Sequence, residues 1–169
     1  MKSFTPAIFI SQGDEKISSA ILKNKALIHA GINENIKYTD NGKPYINNAA
    51  ISVTHDENVT AVIITPFEPV GIDIEKVKSS YPIRVAEGYF NSYEREILNT
   101  PEDFYKIWCK KESYVKMTGE GISGIKRFDT LSNDVIFTDL SQNISEITKE
   151  NFVLIVCSKQ RFIPEIIIV

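Results

Sequence analysis

The stretch Val70-Gly71-Ile72-Asp73-Ile74-Glu75 has the composition of a buried β-strand with two carboxylates on one side. Side chains alternate along a strand, so Asp73 and Glu75 point to one face while Ile72 and Ile74 point to the other. Two carboxylates about 7 Å apart on one face repel each other unless a cation lies between them. Mg²⁺ binds one or two carboxylates together with water and phosphate oxygens, so the pair suits a metal–phosphate site. A strand with one solvated face gives the same D-x-E pattern, and the choice depends on the rest of the chain.

The composition is that of an ordinary globular protein. The chain has 169 residues, of which 43% are hydrophobic and 24% charged, with a net charge of −3. That length suits one domain or two small lobes. The acidic balance argues against a nucleic-acid-binding protein, and no apolar run reaches transmembrane length. Cys109 and Cys157 have no metal or redox spacing, and the N-terminal residues lack a signal-peptide pattern, so we expect free thiols and a cytoplasmic protein.

Two segments are predicted to form long helices. Residues 15–31 carry apolar side chains at roughly helical spacing and end at Gly31. The second helix begins at Thr100-Pro101-Glu102-Asp103, with threonine at the N-cap, proline at the first helical position and acids in the first turn. We expect this helix to run to about Thr118 and to end at Gly119. A shorter helix is predicted over residues 78–89.

The second long helix carries an unusual stripe. Phe104, Trp108, Glu112 and Lys116 are spaced four apart and therefore share one side of the helix. A surface Glu–Lys pair at this spacing is common and contributes only about 0.3 kcal/mol. Trp108 on the same stripe favours a buried face instead, because its ring should contact the core.

The remaining segments are predicted to be mainly strands. Residues 50–54 and 59–65 predict a β-hairpin joined by polar residues, with His55 at its tip. Asn91 is predicted to cap a helix, with Glu94 as its reciprocal partner. Three further strands are predicted to form an antiparallel meander, at residues 135–139, 152–157 and 163–168.

Several motifs, taken in order, resemble the signature of the 4′-phosphopantetheinyl transferases. The three main segments fit G-[IV]-D-[IV]-E, F-x-x-x-E and W-x-x-K-E-x-x-x-K, and they are Gly71–Glu75, Phe90–Glu94 and Trp108–Lys116. Three flanking segments resemble the family's G-[KR]-P, S-H and G-x-G-[LI] elements, and they are Gly42-Lys43-Pro44, Thr54-His55 and Gly119–Ile122. The resemblance covers residues 42–125 well, and motifs in this order are hard to obtain by chance.

The resemblance implies an α+β fold of the two-lobe surfactin-synthetase type. This type is a pseudo-dimer of two similar lobes, each a long helix packed on an antiparallel sheet. We place the boundary near Pro66–Val70, with an N-terminal lobe over residues 1–68 and a C-terminal lobe over residues 69–169 that carries the metal-site motifs. Such a chain is expected to be a monomer, whereas the shorter holo-acyl-carrier-protein synthase type builds its site between subunits.

The resemblance also implies an activity, the transfer of phosphopantetheine from coenzyme A to a serine of a carrier protein with release of 3′,5′-ADP. Asp73, Glu75 and Glu112 are then expected to hold Mg²⁺. Glu112 and Lys116 are expected to be catalytic. Glu112 takes the serine proton, directly or through a water molecule, and Lys116 neutralises charge on the leaving phosphate.

Further residues are expected to contact the two substrates. By resemblance, Lys43, Thr54 and His55 meet the phosphates or adenine of coenzyme A. The acceptor is an acidic acyl or peptidyl carrier protein, so docking requires a local basic patch. The candidates by position are Lys106, Lys110, Lys126 and Arg127.

Two other functions fit the same residues. A Mg²⁺-dependent hydrolase of nucleotide pyrophosphates would use the same carboxylates without a carrier protein. A non-catalytic module that binds coenzyme A or a carrier is the second alternative, although such modules usually lose their metal ligands. The motif residue Glu94 either supports the site or only caps its helix.

Overall fold

The computed structural model describes residues 3–67 and 69–169. The strands within these ranges are β1 Ala7–Gln12, β2 Lys37–Tyr38, β3 Pro44–Tyr45, β4 Ala50–Asp56, β5 Val59–Thr65, β6 Val70–Lys76, β7 Ile136–Asp139, β8 Phe152–Ser158 and β9 Glu165–Ile168. The helices are α1 Glu15–His29, α2 Ile83–Tyr89, α3 Ser92–Glu96, α4 Pro101–Thr118, α5 Ile122–Arg127 and α6 Ser141–Thr148. None of these helices is long and apolar enough to cross a membrane.

Two β-sheets packed face to face form the centre of the molecule. The first sheet has the strand order β4-β5-β1-β9 and the second has the order β6-β8-β7. Helix α1 covers the outer face of the first sheet through Leu22 and Ala26, and α4 covers the outer face of the second through Phe104 and Ile107. The layers therefore run helix, sheet, sheet, helix, which confirms the predicted α+β class. The pseudo-dimer of two lobes stays a prediction.

The pattern of strand β8 shows how the sequence makes these layers. Phe152, Leu154 and Val156 enter the core between the two sheets, while Val153 and Ile155 face α4. Both faces are covered, so the strand is a continuous apolar run rather than an alternating one. Strand β6 lies beside it in antiparallel register, with Asp73 opposite Ile155.

The predicted C-terminal meander is wrong. Strands β7 and β8 are antiparallel neighbours, but α6 lies between them in the chain. The last strand, β9, leaves this sheet and pairs in parallel with β1, with Ala7 opposite Glu165. Helix α6 was not predicted from the sequence, because most of its residues are polar and only Ile144 and Thr148 are buried. Residue 68, where the predicted lobe boundary falls, lies outside the described residues.

The position predicted for His55 at a hairpin tip is also wrong. Strand β4 continues to Asp56, and His55 lies within it opposite Thr60. The turn consists of Glu57 and Asn58. Asp56 stays extended because its two carboxylate oxygens accept hydrogen bonds from the backbone N–H groups of Glu57 at 2.9 Å and Lys76 at 2.7 Å.

Helix α4 crosses β6 at Gly71, where the two backbones nearly touch. A Cβ atom at this position would lie 2.0 Å from the carbonyl oxygen of Ser113 and 2.5 Å from the backbone nitrogen of Met117. Both are backbone atoms, so a side chain fits only if the helix moves. The missing side chain permits the close crossing that brings Lys116 beside Asp73.

We expect Gly71→Ala to lower the free energy of unfolding by about 1–3 kcal/mol or more, because overpacking forces α4 away from β6. Urea denaturation followed by circular dichroism measures this change. Gly88→Ala is a matched control, since no atom lies within 4 Å of a Cβ built at that helical position. It should be neutral or stabilising by up to about 1 kcal/mol. Equal urea midpoints for Gly71→Ala and the natural protein would refute the close-packing argument.

Candidate metal and phosphate site

Helix α4 positions one side of the candidate site and has the ends predicted from the sequence. The Thr100 hydroxyl accepts a hydrogen bond from the Asp103 N–H, and the Asp103 carboxylate accepts one from the Thr100 N–H. Gly119 ends the helix with a φ of 79°. This confirms the predicted cap and the predicted stop. Fixed ends set the helical register, so Glu112 and Lys116 lie one turn apart on the side facing β6.

Strand β4 supports the other side of the site through a ladder made by side chains. The Ser52 hydroxyl accepts a hydrogen bond from the Ile72 N–H at 3.2 Å, and the Thr54 hydroxyl accepts one from the Ile74 N–H at 3.2 Å. Asp56 continues the series through its bond with the Lys76 N–H. Every second residue of β4 thus satisfies a backbone donor of β6, which joins the two sheets where Asp73 lies.

Asp73 is the centre of the polar site. The residue is only 4% exposed. One carboxylate oxygen, Oδ1, accepts hydrogen bonds from Lys116 Nζ at 2.6 Å and from the Thr54 hydroxyl at 3.1 Å. The other oxygen, Oδ2, is buried and accepts no regular hydrogen bond within residues 3–67 and 69–169, although the Cys109 thiol, whose pKa burial raises, also interacts with the Asp73 carboxylate. A buried carboxylate oxygen without a regular hydrogen bond is costly, so this atom is suited to bind a ligand.

Negative charge is concentrated around Asp73. Burial, together with the charges of Asp73 and Asp56, raises the pKa of Glu75 to about 7 against the opposing effects of Lys116 and the Trp108 indole. Burial also raises the pKa of Glu112, again with a contribution from Asp73 and against Lys116. Burial and mutual repulsion thus disfavour the ionised forms of these carboxylates, and a cation bound among them would favour ionisation.

The donor set at this site fits a hard divalent cation. Asp73, Glu75 and Glu112 offer only oxygen donors, which Mg²⁺ prefers, and Asp73 Oδ2 accepts no regular hydrogen bond from the residues that the structure describes. No group of three or more His, Cys, Asp or Glu side chains is already arranged around a common point in the described part of the chain. Lys116 lies against the opposite oxygen of Asp73 and supplies positive charge there.

Two adjoining cavities open between Lys43 and the C-terminal end of α4. One has a volume of about 340 Å³ and the other about 210 Å³, and Lys43 and Gly119 line both. Lys43 Nζ donates a hydrogen bond to the carbonyl oxygen of Met117 at 2.5 Å, so the amine is fixed at the end of the helix. Lys116 lines the smaller cavity, which connects it to the polar site around Asp73.

A third cavity of about 500 Å³ lies on another side of the carboxylates. Glu75 and Trp108 line it, together with the aromatic rings of Tyr81, Phe104 and Tyr105. Trp108 is half-buried at this cavity, in agreement with the expectation that its ring contacts apolar neighbours. The site therefore adjoins cavities on two sides, through Lys116 at the smaller cavity and through Glu75 at the third.

The structure brings some of the predicted site residues together and leaves one apart. Asp73, Thr54 and Lys116 are in direct contact. His55 follows Thr54 in β4 and so points to the opposite face of the sheet. Its half-exposed imidazole lies 3.2 Å from a carboxylate oxygen of Glu15, and it lines none of the three cavities.

A buried ion pair next to the site was not predicted. Lys111 and Glu94 are both 0% exposed, and Lys111 Nζ lies 3.0 Å from Glu94 Oε2. The ammonium also donates to the carbonyl oxygens of Ile125 at 3.1 Å and Phe128 at 2.5 Å. Glu94 completes a capping box with Asn91, so this motif residue both caps α3 and anchors α4. A usable signal was present, since Lys111 lies four residues from both Ile107 and Val115, which are buried.

Comparison with known proteins identifies the family. The sequence model of the 4′-phosphopantetheinyl transferase superfamily matches residues 69–162, which is more than half of the chain. The protein therefore belongs to the 4′-phosphopantetheinyl transferase superfamily.

Individual relatives agree with this assignment. A 4′-phosphopantetheinyl transferase of Bacillus subtilis is 33% identical over 120 residues, which are 66% of this chain and 52% of that protein. The transferase gsp of Aneurinibacillus migulanus is 33% identical over 99 residues, 53% of this chain and 41% of that protein. The transferase psf-1 of Bacillus pumilus is 39% identical over 74 residues, 39% of this chain and 31% of that protein. The chain spans about half or less of the length of these relatives.

Proposed function

We propose that this protein transfers 4′-phosphopantetheine from coenzyme A to a serine hydroxyl of an acyl or peptidyl carrier protein. The observation that supports this most directly is the polar site itself, where Asp73 lies beside Lys116 with one buried oxygen that accepts no regular hydrogen bond within the described ranges. The two cavities at Lys43 adjoin this site and offer room for an anionic ligand. Membership of the superfamily supplies the reaction class.

The reaction is a phosphoryl transfer in which one bond forms and one breaks. The serine oxygen bonds to the phosphorus that carries the pantetheine arm, and the bond between this phosphorus and the bridging oxygen of the pyrophosphate breaks. The electron pair leaves with 3′,5′-ADP, and the serine proton passes to a base. Such a reaction depends mainly on positioning and on neutralisation of charge.

The chain's own residues account for these requirements. Asp73, Glu75 and Glu112 would hold Mg²⁺, which when bound supplies positive charge for the pyrophosphate. Lys116 stabilises negative charge on the leaving phosphate from the smaller cavity. Glu112 accepts the serine proton, directly or through water, and the water route accommodates the lowered pKa that a metal-bound carboxylate would have. Lys43 contacts the phosphates or adenine of coenzyme A.

Mass spectrometry of an apo carrier protein tests the proposal. After incubation with coenzyme A, Mg²⁺ and this protein, the carrier should gain about 340 Da, the mass of a phosphopantetheine transferred by metal-assisted phosphoryl transfer. A parallel reaction without carrier should release no 3′,5′-ADP. Release without an acceptor identifies a pyrophosphate hydrolase instead, and no product in either reaction leaves a non-catalytic binding module.

We further propose a monomer with two lobes, residues 1–68 and 69–169. Along the chain, strands β1, β4 and β5 of the first sheet come before β6, which is the first strand of the second sheet. This order agrees with a boundary in the segment between β5 and β6. Strand β9 returns to the first sheet, so the second lobe contributes one strand to the first. Light scattering at micromolar concentration should give a mass near 19.1 kDa, and a stable trimer would contradict the two-lobe type.

His55→Ala is expected to weaken coenzyme A binding about tenfold, because an imidazolium beside a phosphate contributes roughly 1–3 kcal/mol. His55 is half-exposed with an acidic partner on α1, Glu15, so a phosphate would compete with that carboxylate for the ring. Glu15→Gln is the matched control and should leave the affinity unchanged or raise it. Isothermal titration calorimetry measures both variants. An unaltered dissociation constant for His55→Ala removes this residue from the coenzyme A site.

Carrier docking is expected to depend on the basic residues near α4, although ion pairs already neutralise two of them. Lys106 lies 2.8 Å from Glu102, and Arg127 lies 2.9 Å from Glu120. Lys110 lies over the ring of Phe137 instead.

Lys110→Glu should therefore raise the Michaelis constant for the carrier more than Arg127→Glu, with the constant for coenzyme A unchanged. The carrier constant should also rise as salt increases from about 50 to about 300 mM, because screening weakens electrostatic steering. Steady-state kinetics at several salt concentrations measures both effects. Salt-insensitive rates together with an unchanged carrier constant would favour an apolar docking surface.

A further inference from the structure

The hydroxyl group of Thr54 has used all of its hydrogen-bonding capacity inside the protein. A hydroxyl donates one hydrogen bond and accepts two. Thr54 donates to Asp73 Oδ1 at 3.1 Å, and it accepts from the Ile74 N–H at 3.2 Å and from Lys116 Nζ at 3.0 Å. The residue is only 2% exposed. The hydroxyl therefore has no hydrogen left to donate to a phosphate, which argues against a direct hydrogen bond between Thr54 and coenzyme A.

Thr54 differs from its neighbours in the side-chain ladder. Ser52 and Asp56 each accept a backbone N–H of β6, as Thr54 does. Only Thr54 among these three also bonds to Asp73 and Lys116. The ladder anchors the hydroxyl to the strand that carries Asp73, so the position of the hydroxyl relative to this carboxylate is fixed.

This geometry decides which oxygen of Asp73 is available. Thr54 and Lys116 both bond to Oδ1, and Oδ2 is left buried without a regular hydrogen bond in the described part of the chain. The side chain of Lys116 is long and 30% exposed, so it is a weaker positional constraint than a buried hydroxyl. Without Thr54, Asp73 could rotate and share both oxygens with the lysine.

We propose that Thr54 is a positioning residue for the metal site rather than a ligand of coenzyme A. It holds Asp73 so that Oδ1 receives Lys116 while Oδ2 stays available for the cation. The inference rests on the proposed function because it takes Asp73 as a metal ligand. Partners that orient metal ligands typically change metal affinity about 10–100-fold when they are removed.

Titration with Mn²⁺, followed by electron paramagnetic resonance, tests the inference without using activity. Thr54→Val keeps the shape of the side chain and removes the hydroxyl, and it should weaken Mn²⁺ binding about 10–100-fold. Thr54→Ser restores the hydroxyl and should restore the affinity. Ser52→Ala is the matched control, because it removes one bond of the same ladder without touching Asp73, and it should leave the Mn²⁺ affinity unchanged.

Kinetics separates positioning from direct contact. Thr54→Val should raise the Mg²⁺ concentration that gives half-maximal rate and leave the Michaelis constant for coenzyme A unchanged at saturating Mg²⁺. The inference is overturned if Thr54→Val binds Mn²⁺ with the affinity of the natural protein. It is also overturned if the main defect of this variant is a raised Michaelis constant for coenzyme A at saturating Mg²⁺.

A second variant tests the same inference. If Thr54→Val does not fold, Lys116→Met provides a second test, since Thr54 is then the remaining described donor to Asp73 Oδ1. Mn²⁺ should bind that variant at least as tightly as the natural protein, because a competing cation is gone, and weaker binding would overturn the inference.

The results also separate the inference from the proposed function. If the Mn²⁺ effects are observed but the natural protein transfers no phosphopantetheine, only the proposed function is refuted. A natural protein that binds no Mn²⁺ refutes both.

Discussion

Asp73→Asn is expected to lower the rate of carrier modification at least about a hundredfold while the protein stays folded. Asparagine keeps the size of the side chain and an oxygen that can accept from Thr54 and Lys116. It removes a negative charge from a group of carboxylates that raise one another's pKa, as seen for Glu75 and Glu112. The loss should therefore affect metal binding rather than stability. Single-turnover assays and urea denaturation measure the two quantities separately.

Asp56→Asn is the matched control for this result. Asp56 contributes negative charge near Glu75 but is not a proposed metal ligand. The substitution removes one negative charge, as Asp73→Asn does, and one of the two backbone hydrogen bonds that the Asp56 carboxylate accepts. We expect its transfer rate to stay close to that of the natural protein. Full activity in Asp73→Asn would show that the metal assignment is wrong. Equal losses in both variants would indicate a general effect of charge.

Lys111→Met is expected to lower the free energy of unfolding by about 3–5 kcal/mol, because it leaves Glu94 as a buried charge without its cation. The ammonium holds three elements together, since it bonds to Glu94 of α3 and to two carbonyl oxygens in and after α5. Glu94 also accepts from the backbone and hydroxyl of Thr130, at 3.0 and 2.8 Å. Urea denaturation gives the change in unfolding free energy.

Two variants distinguish a buried ion pair from simple loss of volume. Lys110→Met makes the same substitution one residue earlier, where the lysine lies over the Phe137 ring near the surface, and should cost less than about 1 kcal/mol. Adding Glu94→Gln to Lys111→Met removes the unpaired charge and should recover part of the lost stability. If Lys111→Met and Lys110→Met unfolded at the same urea concentration, the ion pair would contribute nothing measurable.

The parts of the fold that were predictable have local signals. The bounds of α4 followed from Thr100, Pro101 and Gly119, because each residue satisfies a requirement specific to a helix end. The face of Asp73 followed from alternation along a strand. The pairing of β9 with β1 had no such signal, because the partner strand lies at the other end of the described chain.

The site was predictable as a set of residues but not as a set of contacts. Sequence spacing placed Glu112 and Lys116 on one side of a helix, yet it could not show that Lys116 bonds to Asp73. The burial of Lys111 was not predicted, because lysine is almost never fully buried without a partner. That partner, Glu94, lies seventeen positions away in the chain, so only the tertiary structure brings it to Lys111.

The parallel pairing of β9 with β1 has a consequence for the order of folding. Ala7 and Glu165 are neighbours in one sheet, so synthesis must reach Glu165 before β1 gains its second neighbouring strand. Contacts between residues so far apart in the chain require loop closure before they are gained, which makes them slow to form. During synthesis, one edge of β1 therefore stays open to other strands. We expect nascent chains that end before residue 165 to depend on chaperones more than chains that include β9.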